Sequence, residues 1–181
     1  DTLEFTLASP LVPIVAEAVT FARESLASGR PALPALRELC GRIQQRFTYD
    51  PQATSVSASI TDLLRGGRGV CQDFTHFMLS GLRGLGLAAR YMSGYVAPLG
   101  ETGANAGAGA SHAWVAVLVP GCGWVGCDPT NGKLADEEFI TLAWGRDFGD
   151  VTPLRGVIVA RGPQQLRVSV EVERLPAEPA A

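Results

Sequence analysis

The period of the apolar positions changes several times along the chain, and each change predicts an element. Between Ile14 and Leu26 apolar residues recur at helical spacing behind Pro10 and Pro13 and stop at Gly29, which predicts a first helix. Pro31 and Pro34 open a second, with Leu36, Leu39, Cys40, Ile43 and Phe47 on one face and charged residues or glutamines on the other. Both helices are expected to cover the core. Phe47 to Pro51 reads as a turn, and Ser59 to Arg65 as a short capped helix. Beyond Gly66-Gly67-Arg68-Gly69-Val70 the helical period resumes at Cys71, through Phe74, Phe77, Met78, Leu82 and Leu85, and ends at Gly84 and Gly86.

The period then drops to two. Ala88 to Val96 is a strand, and Ser111 to Val119 with Trp124 to Thr130 forms a hairpin about Pro120-Gly121-Cys122-Gly123. Further strands are expected at Phe139 to Trp144, at Val157 to Ala160 and at Leu166 to Val172, the last alternating cleanly with polar residues. Thr2 to Leu7 reads as an extended lead-in, and Pro176 to Ala181 as a frayed tail. The glycine- and alanine-rich stretch Leu99 to Ala110 is a loop that would overhang whatever His112 takes part in. Helices followed by an antiparallel sheet make the class α+β.

The chemistry starts at Cys71. At the first turn of a helix, free N–H groups and the positive end of the macrodipole stabilise a thiolate. A nucleophile also needs a base and a group to orient that base. His76 is five residues along the same helix, roughly 140° around its axis, and points away from Cys71. It reads as a packed or capping histidine. His112 opens the first hairpin strand and Asp128 closes the second, within a residue or two of direct opposition. The Cys71 N–H is a natural oxyanion donor, with Tyr49 and Gln52 as upstream candidates for the second. Trp114, two residues beyond His112, is placed to shield the imidazole, and Gln72 is a second pocket candidate. Capping also accounts for Gln72 and Asp73, and Asp73 could hold Arg90 inside the fold.

With 181 residues, 46% of them hydrophobic, the chain suits one domain with one good core. A net charge of −3 without any basic run argues against nucleic acid. The longest apolar run, Ala113 to Val119, is too short to span a bilayer, and no stretch resembles a signal peptide. The cytoplasm is therefore the default location, although the chain starts at Asp1 and a missing start could have held a signal. Four cysteines make no disulfide framework. Cys40 belongs to an apolar helix face. Cys122 and Cys127 flank a tight turn and could pair, or with His112 could suggest zinc, but a second ligand pair is missing from the motif. No metal or cofactor is expected.

The blocks Gly69-Val70-Cys71-Gln72-Asp73-Phe74, Ala89-Arg90-Tyr91-Met92-Ser93-Gly94-Tyr95, Ser111-His112-Ala113-Trp114 and Asp128-Pro129-Thr130-Asn131 resemble, in order, those of the bacterial transglutaminase-like superfamily. Gly145 to Gly156 resembles a further block of the bacterial branch. The resemblance implies a papain-like α+β core spanning residues 1–175, excised from a longer chain that commonly carries a β-rich domain ahead of it. It implies Cys71, His112 and Asp128 as nucleophile, base and orienting carboxylate. The expected reaction is acyl transfer on a peptide or carboxamide through an acyl-thioester, with a peptide or protein as substrate. Water as acceptor gives a protease or amidase, and an amine gives a transglutaminase. Hydrolysis is favoured because neither an acceptor tunnel nor a Ca²⁺ loop is visible. The alternative is a papain-like binding or scaffold module without turnover.

Overall fold

A computed structural model of the chain describes residues 2–52, 58–97, 110–153, 156, 159 and 169–172. Its elements run α1 (Ala16–Ser25), α2 (Ala32–Arg46), β1 (Thr48–Tyr49), α3 (Ile60–Gly66), β2 (Arg68–Gly69), α4 (Cys71–Gly84), β3 (Ala89–Val96), β4 (His112–Val119), β5 (Gly123–Asp128), β6 (Lys133–Leu134) and β7 (Phe139–Gly145). Strands β6-β5-β4-β3-β7 form an antiparallel sheet in that spatial order, while β1 and β2 pair in parallel. The fold is α+β, as the periodicity predicts.

Helix α4 is the centre of the molecule. Phe74, Phe77, Met78, Leu79 and Leu82 are buried against Val115 and Val117 of β4, Tyr91 of β3, and Leu36, Leu39 and Ile43 of α2. Each such aliphatic side chain contributes about 2 kcal/mol by leaving water. Helix α1 lies so close to α4 that a β-carbon at Gly81 would sit 2.6 Å from the Ala18 carbonyl oxygen. That spacing requires glycine.

Helix ends follow local chemistry. Helix α3 has a reciprocal box in which the Asp62 N–H donates to Ser59 Oγ at 3.2 Å and the Ser59 N–H donates to Asp62 Oδ2 at 3.0 Å. Helix α1 starts at Ala16 rather than Ile14, and the Val15 N–H donates to Ser80 Oγ of α4 at 2.9 Å. The lead-in is not extended. Leu3–Thr6 is a 3₁₀ turn closed by the Thr6 hydroxyl on the Leu3 carbonyl at 2.7 Å, a local side-chain bond that competes with strand pairing. The strands expected at 157–160 and 166–172, the loop at 99–110 and the tail at 176–181 fall wholly or mostly outside the described residues. Among the described residues, no helix is long and apolar enough to cross a membrane.

Candidate active site

The approach to Cys71 is held from both sides. Parallel pairing of β1 with β2 sets Tyr49 opposite Gly69, and the Thr48 and Asp50 N–H groups donate to the Gly67 and Gly69 carbonyls at 2.9 Å each. Gly67 takes a left-handed φ of 66° to leave α3. The Asp73 carboxylate then accepts the Val70 N–H at 2.8 Å, closing the first turn of α4. Gly69 makes room for that carboxylate, since a β-carbon there would sit 2.7 Å from Asp73 Oδ2. Cys71 emerges half-buried as the first residue of α4.

His112 and Asp128 meet as their hairpin register requires. Val115 pairs with Cys127, and His112 Nε2 lies 2.8 Å from Asp128 Oδ2, with both side chains fully buried. Asp128 is itself held by its own turn. Its Oδ1 accepts the Thr130 and Asn131 N–H groups at 2.8 and 3.2 Å, and its Oδ2 accepts Asn131 Nδ2 at 2.7 Å. The second His112 nitrogen, Nδ1, is buried with no partner in hydrogen-bond geometry. The neighbouring Cys71 nevertheless bears on the ring. Burial is the largest single influence and disfavours the imidazolium, but the hydrogen bond to Asp128 and the nearby charges of Asp128 and Cys71 outweigh it and raise His112 to about 9. The ring is therefore charged at neutral pH. Trp114 stacks on it with centroids 6.1 Å apart and planes at 22°, and Phe139 lies 6.2 Å away. These rings form the apolar wall expected of Trp114.

The remaining candidates separate. Tyr49 is 37% exposed, and burial together with the Cys71 charge raises its hydroxyl pKa, which puts it within electrostatic reach of the sulfur. Gln52 is exposed and its N–H is committed to Asp50 Oδ1 at 3.0 Å; no described contact joins it to Cys71. Gln72 is half-buried in the first turn of α4. His76 is a packed histidine, its Nε2 accepting the Phe148 N–H at 3.3 Å and its ring 5.3 Å from that of Tyr91. Burial lowers it to about 4, so it is neutral at pH 7.

Arg90 is not held by Asp73. Strand alternation sends Tyr91 toward α4 and Arg90 to the opposite sheet face, where its guanidinium lies 4.3 Å from the Trp124 ring centre and 4.7 Å from that of Trp144. Cys122 is exposed at the hairpin turn, whereas Cys127 is buried beside Cys40; all four cysteines are free. The described residues contain no group of three side chains able to hold a metal ion.

Two neighbours of the site were not singled out from the sequence. Tyr91 is buried, and its hydroxyl pKa is raised by burial first and then by the charges of Cys71, Asp73 and Asp147. Asn131 supplies two of the donors on Asp128. Its signal was available, because an Asp followed by Pro-Thr-Asn favours a turn in which the Asp side chain caps the next N–H groups.

Residues 19–129 match the family model of the transglutaminase-like superfamily, a span that holds Cys71, His112 and Asp128. The chain belongs to that superfamily. The uncharacterized protein Rv2569c of Mycobacterium tuberculosis is 39% identical over 183 residues, covering 97% of this chain and 57% of the relative. The uncharacterized protein ML0607 of Mycobacterium leprae is 41% identical over 137 residues, covering 73% of this chain and 47% of the relative. The chain thus spans about half the length of the transglutaminase-like relatives it matches. Its fold is similar to that of a candidate cysteine protease from Cytophaga hutchinsonii, with a TM-score of 0.69 at 22% identity over 84% of this chain and 49% of that one.

Proposed function

We propose that this transglutaminase-like domain is a cysteine-dependent acyl-transfer enzyme that hydrolyses a peptide or carboxamide bond of a peptide or protein substrate. The observation that carries the reading is the buried, hydrogen-bonded His112–Asp128 pair beside a cysteine at a helix N-terminus. A cysteine sulfur at a helix N-terminus beside an imidazole is placed to act as a nucleophile with a proton shuttle at hand. The Cys71 thiolate attacks the substrate carbonyl carbon, and the carbonyl electrons move onto oxygen, where the Cys71 N–H donates to the oxyanion. As the C–N bond breaks, His112 gives its proton to the leaving nitrogen and a thioester remains. Neutral His112 then takes a proton from water, whose oxygen attacks the thioester and releases a carboxylate and the thiolate. Asp128 keeps the imidazole oriented throughout and does not itself need to be protonated.

The test is alkylation by iodoacetamide at pH 7, with the modified cysteine identified by mass spectrometry. Exposed Cys122 serves as an internal standard for an unactivated thiol. Cys71 should react faster than Cys122, and His112→Ala should abolish the excess. Equal rates in both proteins would overturn the proposal and favour a scaffold. Incubation with a peptide library and a labelled primary amine then separates acceptors: cleaved peptides support hydrolysis, whereas amine conjugates would replace it with transamidation.

A further inference from the structure

The sheet face turned away from α4 carries a second feature. Met92, Trp114 and Ala116 form an apolar cluster separate from the main core, with Trp124, Ala135 and Phe139 packed on it. Beside that cluster lies a cavity of about 270 Å³ whose lining includes Arg90, Trp114, Trp124, Phe139 and Thr141. Arg90 is the unusual member. Its guanidinium is sandwiched between Trp124 and Trp144, and its Nε is buried with no hydrogen-bond partner. Among the described residues no carboxylate forms an ion pair with it. Arg42 and Arg83, the other described arginines that are at least partly buried, spend their N–H groups on Glu24, Ser25 and backbone carbonyls.

We propose that this cavity binds an organic monocarboxylate with a flat apolar body, the carboxylate on the edge of the Arg90 guanidinium and the body against Trp114 and Phe139. Two indoles lie 4.3 and 4.7 Å from the guanidinium carbon, and the planar fork of a guanidinium fits a carboxylate through two hydrogen bonds. The buried Nε has no acceptor, and a carboxylate supplies one. Aromatic walls suit a flat body. Asp136, also in the lining, is already paired with Lys133 Nζ at 3.0 Å and accepts the Glu138 N–H at 3.1 Å, so it does not compete for Arg90. The same carboxylate chemistry can come from a small molecule or from the C-terminus of a peptide ending in an aromatic residue.

All three tryptophans of the chain lie at this site, so intrinsic fluorescence reports on it directly. Titration of the wild-type chain with phenylacetate, or with acetyl-Ala-Ala-Phe bearing a free C-terminus, should give a saturable change; whichever of the two binds more tightly identifies the source. Phenylacetamide and the C-terminally amidated peptide should bind at least about tenfold more weakly, the loss expected on removing one charge-assisted hydrogen-bonded pair. R90Q should lose the same preference, and R90K, which keeps the charge but not the fork, should fall between. Should R90Q not fold, the comparison of acid with amide on the wild type still decides. Equal binding of acid and amide, tighter binding of inorganic phosphate than of phenylacetate, or no saturable response to either carboxylate would overturn the proposal.

Discussion

The two histidines are perturbed in opposite directions, and this makes the pH dependence of stability a sharp test of the structure. His76 sits at about 4 against an ordinary value of 6.5, because burial disfavours its charged form. Between those values the unfolded chain binds a proton that the native protein does not, so stability is lost as pH falls through this window. A shift of about 2.5 units at 1.36 kcal/mol each amounts to about 3 kcal/mol. His112, raised to about 9, behaves oppositely: its contribution is complete below 6.5 and is lost as pH rises toward 9. Stability should therefore peak near pH 6.5 as far as these two groups decide it. The informative variant is His76→Gln, whose amide oxygen can still accept the Phe148 N–H. Urea unfolding of both proteins, followed by tryptophan fluorescence from pH 8 to pH 4.5, gives two stability curves. Their difference should be flat above about pH 7.5 and should then move in favour of the variant by 2 to 3 kcal/mol toward pH 4.5. Carboxylate titrations are common to both proteins and cancel in the difference. Parallel curves through the acid window would refute the idea that His76 is held neutral by burial.

Three other outcomes follow from the same geometry. Cys71→Ala removes a neighbouring charge that raises His112, so the imidazole pKa, followed by NMR titration of the ring protons, should fall from about 9. Asn131→Ala removes the side-chain donor on Asp128 Oδ2 and should cost about 1–3 kcal/mol in unfolding experiments. On the proposed mechanism it should also lower kcat/KM roughly tenfold or more with little change in KM, because it loosens the orienter and not the substrate contacts. Gly81→Ala forces a methyl against the Ala18 carbonyl oxygen and Ala22, and thermal unfolding should show a loss of about 1–3 kcal/mol despite the better helix propensity of alanine.

What could be read from the chain was what local periodicity determines. The start of α4 at Cys71, the β4–β5 hairpin and its register are set by near neighbours in sequence, and so the contact between His112 and Asp128 was legible before any coordinate. Residues whose roles depend on elements far apart in the chain were not. Arg83 is an example: its guanidinium donates to the Ala89, Leu7 and Arg146 carbonyls, joining three segments that nothing in their own composition relates. Tyr91 reaches the cysteine because β3 lies beside β4 and under α4, an arrangement that the alternation of β3 cannot announce. The Arg90 misreading has the same origin. A buried cation invites a nearby carboxylate, and Asp73 was the obvious one, but strand parity had already assigned them to opposite faces.

One face of the sheet thus holds two different arrangements around a positive group, because His112, Trp114 and Ala116 of β4 lie across from Gly94, Met92 and Arg90 of β3. At the candidate active site, His112 is matched by a carboxylate that its own turn supplies with three further donors. Farther along the same face, Arg90 meets aromatic surfaces and, among the described residues, no carboxylate. Aromatic faces stabilise a cation by about 0.5–2 kcal/mol each, and they leave the buried Arg90 Nε without an acceptor. Trp114 touches both arrangements, stacking on His112 and lining the Arg90 cavity. A carboxylate bound at Arg90 would lie against the far side of the ring that shields the imidazole, so occupancy of that cavity and the pKa of His112 should be coupled through one side chain. By linkage the coupling runs both ways, and phenylacetate should bind with a different affinity above and below pH 9 in the wild type but not in a Trp114→Leu variant.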